Sequence, residues 1–158
     1  KFTFLPLFIL IIFFLFKKNG TKGLLVILYF TSVLILFTDQ FTNVVKDFTQ
    51  RLRPCRLDEL QGLLRDIDIR CGKYGFFSAH AANSISVTIF IINCVDESVK
   101  KFLKPVLIFW VMIFSYSRIY LGVHYPLDTI FGLSFGIFSG FLFKYIYNYF
   151  ISVKVFSD

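Results

Sequence analysis

Five long apolar runs, separated by short polar punctuation, constrain this chain more than any other feature. The run from Leu24 to Phe37 is almost wholly apolar. Of the 158 residues 56% are hydrophobic, 20% are aromatic and 23 are Phe, while only 17% are charged. A water-soluble domain averages about 25% charged residues, and a chain this short has too little interior to hide so much apolar surface. The solvent expected for most of these side chains is therefore lipid. The fold expected is an all-α, polytopic transmembrane helical bundle, read as one domain over residues 1–158 with no linker.

The polar breaks fall where helix ends in a bilayer need them. The first helix is predicted over residues 2–16, ending at Lys17-Lys18-Asn19-Gly20. At 1.5 Å per residue it spans about 22 Å, short of a hydrocarbon layer of roughly 30 Å. The chain also starts at Lys1 rather than Met, so an incomplete N-terminus is expected. A second helix is predicted from Gly23 to Arg51, a third from Ser78 to Val95, a fourth from Phe102 to Tyr116 and a fifth from Pro126 to Tyr149. Between the second and third lies the one substantial extramembrane segment, the loop 54–77, in which Leu57 to Arg65 has the pattern of a short interfacial helix.

Short linkers make neighbouring helices antiparallel, which sorts the charges. All six Arg, with Lys46 and Lys73, fall on one face of the bundle. Lys17, Lys18, Lys22, Lys100, Lys101, Lys104, Lys144 and Lys154 fall on the other. Lys plus Arg is nearly balanced between the faces, so the positive-inside rule alone does not orient the chain. The net charge of +7 is spread in short clusters between apolar runs, which excludes nucleic acid as the expected partner and favours lipid head groups or phosphates. Arg grips phosphate through several donors at once, whereas loop Lys acts as a surface charge. The Arg-rich face is the expected oxyanion site.

Three constellations lie on that face. Asp39, Asn43, Lys46, Gln50 and Arg53 recur at steps of four and three, along one side of the second helix, and Pro54 ends it. The plain alternative is a solvated helix end. Ser78 is a plausible N-cap for the third helix, with His80 in the first turn, where unpaired N–H groups and the helix dipole favour an anion. The alternative is a capped helix whose histidine meets the head-group region. Finally Ser117-Arg118, His124 and Asp128 straddle the break before the fifth helix. There Pro126 suits the first turn, and Asp128 can reach back to fix the tautomer of His124. An ordinary first-turn Asp is the alternative. His80 and His124 are the only histidines, and both sit beside cations at helix starts on one face. Ionisable groups are costly at that depth and mark function.

The pattern Lys46-x6-Arg53-Pro54, then Phe77-Ser78-Ala79-His80, then Ser117-Arg118-x5-His124-x3-Asp128 resembles the three-part signature of the type 2 phosphatidic acid phosphatase superfamily of membrane lipid phosphatases. The resemblance covers residues 39–149. It departs from the family at the second motif, commonly Pro-Ser-Gly-His, where Phe77 and Ala79 stand here. It also departs in helix number, five against a usual six, which a missing N-terminal helix would explain.

The resemblance implies hydrolysis, without a metal or other cofactor, of a lipid phosphomonoester or diphosphate through a phosphohistidine. His124 would be the nucleophile, Asp128 its orienting partner, and His80 the acid that protonates the leaving oxygen and then activates water. Lys46, Arg53, Arg118 and Ser78 would hold the phosphoryl oxygens. Phosphatidic acid, phosphatidylglycerol phosphate, a polyprenyl diphosphate and lipid A phosphate are all suitable amphiphiles. Transfer of the phosphoryl group to another acceptor is one rival, and a non-catalytic lipid-phosphate-binding membrane protein is another.

Cys55 and Cys71 have fifteen residues between them on the active face. A disulfide there, worth about 3 kcal/mol in the loop-entropy account, would put that face in an oxidising compartment, and two free thiols are the alternative. The expected location is a bacterial inner membrane with the site facing the periplasm. Asp66 and Asp68 lack a third partner for a metal. The remaining readings are structural. Gly132, Gly136 and Gly140 form a strip for close helix contact, Trp110 and Cys94 are packing residues, and Tyr145, Tyr147 and Tyr149 form an interfacial belt. Asp47, Arg51 and Arg56 are read as solvated.

Overall fold

The structure is a computed structural model that describes residues 5–60 and 71–155. It is a transmembrane bundle of the expected all-α class, and the described residues of each apolar run are helical. The first two runs form α1 (Leu5–Thr49), broken at Gly20, whose φ of 66° and ψ of −174° are non-helical. Such a φ favours glycine. The two arms of α1 line the same cavity, Leu7 on one and Ile35 on the other, so the chain doubles back at Gly20. Lys18 Nζ donates to Val95 O at 2.9 Å and Asn19 Nδ2 donates to Cys94 O at 3.1 Å. The bend thereby satisfies carbonyls left open after α2 (Ala79–Ile92).

Helices α3 (Glu97–Tyr120) and α4 (Pro126–Val155) complete the bundle. Both outrun their apolar runs. Asp96 stands at the N-cap of α3, and a Lys100–Glu97 pair of 2.9 Å supports its first turn, so the helix begins five residues before the predicted Phe102. Among the described residues three stretches are long and apolar enough to cross a bilayer: Pro6–Thr49, which contains the bend, Glu97–Tyr120 and Pro126–Ser152. The 14-residue α2 spans only about 21 Å, yet it is the most enclosed. Its Ala81, Ala82, Ser86 and Phe90 are fully or almost fully buried, and the glycine strip of α4 lies against its backbone, Gly132 over Ser78 O and Gly140 over Ser86 O. Large side chains such as Phe48, Phe109 and Tyr145 point outward, as lipid contact requires.

The two ends of the bundle differ in kind. Ile11, Leu15, Ile27, Phe90 and Leu103 form the apolar core toward the Lys-rich end. Buried polar groups, Thr42, Ser78, His124, Asp128 and Thr129, gather at the Arg-rich end. Tyr147 departs from the expected belt: it packs edge-on against Phe30 and Phe90, with centroids 5.5 Å away in each case. Tyr145 and Tyr149 are exposed, and Cys94 is buried.

After α1 the chain turns at Gln50, φ 46°. An antiparallel bridge pairs Leu52 with Tyr74, flanked by bonds from Gly75 N to Arg51 O (2.9 Å) and from Arg53 N to Lys73 O (3.3 Å). Cys55 N donates to Gly122 O at 3.0 Å, which ties this loop to the turn between α3 and α4. Cys55 and Cys71 are joined, with Cα atoms 6.5 Å apart. Of the expected interfacial helix, residues 58–60 form one 3₁₀ turn; residues 61–65, like Asp66 and Asp68, lie outside the described residues.

Candidate active site

The expected stripe on α1 survives as far as Lys46. Asn43 Nδ2 donates to Asp39 Oδ2 and Lys46 Nζ to Asn43 Oδ1, each at 3.3 Å. The helix then stops at Thr49, two residues before the predicted end. Arg53, before Pro54, is extended (φ −72°, ψ 152°), as a residue preceding proline prefers. Gln50 and Arg53 therefore do not continue the helical stripe. Arg53 is anchored from the loop, Nε donating to Tyr74 O at 2.9 Å, and its side chain lies against Gly72 and Gly75.

Ser78 is the N-cap of α2: its Oγ accepts from Ala81 N at 3.4 Å, and its own N–H donates to Asp128 O at 3.0 Å. The second bond locks the start of α2 to the first turn of α4. His80 follows in the first turn of α2, its ring 5.9 Å from that of Phe114. Arg118, in the last turn of α3, stacks over Phe114 at 4.8 Å. His80 interacts electrostatically with Arg118, His124, Lys46 and Arg53, so residues from three separate stretches of sequence converge at one end of the bundle.

His124 is held by the turn after α3. Both Val123 N (3.2 Å) and His124 N (3.3 Å) donate to Arg118 O. Only 2% of the His124 side chain is exposed and none of Asp128. His124 Nδ1 lies 3.5 Å from Asp128 Oδ2. That is ion-pair range, but Nδ1 makes no hydrogen bond in this geometry; such contacts commonly tighten once the ring carries charge. Burial holds the His124 imidazole below its ordinary pKa; Asp128 pulls it back up, and Arg53 and Lys46 push it further down. A neutral, nucleophilic ring is favoured.

Asp128 has more partners than its place in the sequence foretold. Oδ2 accepts from Tyr125 N at 2.9 Å, half of a capping box that starts α4. Oδ1 accepts from Arg51 Nη1 at 2.8 Å. Arg51, read from the sequence as solvated, also lays its guanidinium over the Tyr125 ring at 4.3 Å. A fully buried carboxylate needs a cation, and the one signal for it was a spare Arg two residues before Arg53. Arg56, also read as solvated, is exposed, with Nη2 donating to Cys71 O at 2.6 Å. Among the described residues no group of three or more His, Cys, Asp or Glu converges as metal ligands would.

From this polar end a cavity of about 540 Å³ runs into the apolar bundle between α1, α2 and α3. His80 and Phe114 form part of its wall near the site, and Trp110, Leu107, Leu15 and Ile91 line it further in. Trp110 stacks on Phe114, centroids 5.1 Å apart. A polar centre thus opens onto a lipid-like chamber.

Several known proteins are similar to this chain. The chain is 34% identical over 149 residues to a lipid A 4'-phosphatase of Bacteroides thetaiotaomicron, covering 92% of this chain and 65% of that protein. It is 33% identical over 151 residues to a lipid A 4'-phosphatase of Porphyromonas gingivalis, covering 94% and 63%. The chain thus spans just under two thirds of the length of these relatives. Its fold is similar to the crystal structure of the transmembrane PAP2 type phosphatidylglycerolphosphate phosphatase from Bacillus subtilis, with a TM-score of 0.67 and 24% identity, over 90% of this chain and 67% of that one. The sequence profile of the PAP2 superfamily matches residues 22–152, and with that match over most of its length the chain belongs to the PAP2 superfamily.

Proposed function

We propose that this protein is an integral membrane lipid phosphatase that cleaves a phosphate from an amphiphilic lipid through a phosphohistidine, with an amino-sugar lipid of the lipid A kind as the leading substrate. The observation that carries this reading is the buried His124–Asp128 pair, 3.5 Å apart, with His124, Arg53, Arg118 and Lys46 all within electrostatic range of His80, which lines the wall of an apolar cavity. The lipid chains enter the cavity and the phosphate stays at the polar end.

His124 Nδ1 faces Asp128, which leaves Nε2 to attack phosphorus. The P–Nε2 bond forms as the bond to the lipid oxygen breaks, and His80 gives that oxygen its proton. Asp128 stabilises the charge that develops on His124. His80, now neutral, takes a proton from water; the hydroxide attacks phosphorus, Nε2 leaves, and inorganic phosphate is released. Arg53, Arg118 and Lys46 stabilise the equatorial oxygens, where phosphoryl transfer gathers charge. Ser78 uses Oγ to accept the cap bond, so its hydroxyl hydrogen is free to donate to the phosphate. The chain itself supplies nucleophile, acid and charge stabilisation, so no step requires a metal.

The joined Cys55 and Cys71 border this end of the bundle, which favours an oxidising compartment such as the bacterial periplasm for the site. The relatives' names support the lipid A assignment. The test is phosphate release by purified protein in detergent, with a chelator present, from lipid A, phosphatidylglycerol phosphate, phosphatidic acid and a polyprenyl diphosphate. Release from lipid A foremost, abolished in His124→Ala, is expected. No release from any of the four, or full activity in His124→Ala, would overturn the reading.

A further inference from the structure

Asp39 is a carboxylate on a membrane-spanning helix that no step above uses. It lines the cavity together with His80 and Asn83. Its Oδ2 accepts from Asn43 at 3.3 Å, and among the described residues no ion pair includes it. Asn83, one turn beyond His80 on α2, is hydrogen-bonded to Thr38, the neighbour of Asp39. The polar side chains Thr31 and Ser84 of the same wall donate to carbonyls of their own helices. Asp39 therefore gives a largely apolar chamber a carboxylate acceptor with capacity to spare. An ionisable group at this depth is costly and is retained for function.

Position narrows the ligand. Asp39 lies two turns before Lys46 on the same arm, roughly 10 Å along the axis. A phosphate held by Lys46, Arg53 and Arg118 would place the next part of the lipid, and not its chains, at the level of Asp39. We infer that Asp39 is the acceptor of a head-group subsite that takes hydroxyl or amide N–H donors next to the phosphate. The subsite rests on the phosphatase reading above and deepens it. An N-acylated amino-sugar phosphate offers both kinds of donor. Phosphatidic acid presents only acceptors beyond its phosphate, and a polyprenyl diphosphate presents only hydrocarbon. A substrate without donors would leave the carboxylate stripped of water with only the long bond from Asn43. A site built to bond a substrate donor discriminates strongly for that reason.

The experiment is a cycle between protein and substrate, read as kcat/KM in detergent. The substrates are a synthetic N-acylated glucosamine phosphate lipid and two analogues, one with the hydroxyl next to the phosphate methylated and one with the amide replaced by an ester. The proteins are wild type, Asp39→Asn and Asp39→Leu. In the wild type at least one analogue should lose roughly 10- to 100-fold, the worth of a bond to a charged acceptor. In Asp39→Leu the same change should cost under about threefold, with Asp39→Asn between the two because it keeps a carbonyl acceptor. The coupling, not the absolute rate, is the readout, so a general loss of activity in a variant does not imitate the result. Equal losses in wild type and Asp39→Leu, or no loss in the wild type, would overturn the subsite and leave the phosphatase reading intact. Absence of phosphate release from every lipid by the wild type would overturn both.

Discussion

Arg51 Nη1 lies 2.8 Å from Asp128 Oδ1 while His124 Nδ1 lies 3.5 Å from Asp128 Oδ2. One buried carboxylate is therefore shared between a guanidinium and an imidazole. The share taken by Arg51 weakens the pull that Asp128 exerts on a proton at His124. Burial, Arg53 and Lys46 already favour the neutral ring, and His80 lies within electrostatic range as well.

Arg51→Gln removes a positive charge and frees Asp128 for His124. The imidazolium becomes easier to form, so the pKa of His124 rises. Because the neutral ring is the nucleophile, the acid limb of the kcat/KM profile should move to higher pH. Arg51→Lys should move it back toward the wild-type position, since a cation is restored. Asp128→Asn removes the one group that raises this pKa, and its acid limb should move to lower pH while turnover falls about 10²- to 10⁴-fold. A pH series on the three variants checks the signs; an unmoved limb in Arg51→Gln would confine Arg51 to a structural role.

The two histidines should fail differently. With an activated substrate, whose leaving group needs no proton, His80→Ala should still transfer phosphate to His124. It lacks the base for the second step, so labelled phosphoenzyme should accumulate. His124→Ala should form none. Trapping with radiolabelled phosphate in alkaline quench, where phosphohistidine survives, distinguishes the variants; labelling of His124→Ala would remove this residue from the nucleophile's place.

The architecture was legible because hydropathy periods report burial directly: the described part of every apolar run is helix, and Gly20 marked the bend. The site was legible to the extent that its residues sit in short spacings fixed by helix starts, as with Ser78 and His80 or Pro126 and Asp128. Arg51 was not, because its partner is 77 positions away and nothing local separates an ion-paired Arg from a solvated one. Tyr147 was misplaced for a similar reason: the lipid-facing and core-facing sides of an apolar helix have nearly the same composition, and only the packing of Phe30 and Phe90 chose between them. Helix ends were missed wherever a polar turn continued past the apolar run, as at Glu97.

The joined Cys55 and Cys71 should survive on intact cells. A membrane-impermeant thiol reagent should label neither until a reductant is added, after which both should react. Replacing both with Ser should lower stability by up to about 3 kcal/mol in the loop-entropy account, measured as earlier thermal aggregation in detergent. Labelling without reductant would remove the bridge and with it the support for an oxidising compartment.

The contact of α4 with α2 should tolerate no added carbon at Gly136. A Cβ there would fall onto Ala82 O and Ile85 Cγ2; the Ile85 side chain can turn aside, but the Ala82 carbonyl is backbone and cannot. The two helices must part or tilt, and the bond from Ser78 N to Asp128 O, 3.0 Å at present, lies on the same seam. Gly136→Ala should therefore cost roughly 1–3 kcal/mol, the usual range for overpacking, and should lower turnover as well, because that bond sets the start of α2 against the first turn of α4. Ser134→Ala is the control: its side chain is exposed and bonds only to Ile130 O of its own helix, so its thermal midpoint and activity should match the wild type. An unchanged midpoint and rate in Gly136→Ala would mean that the α2–α4 seam is looser than described and does not hold His80 and His124 in register.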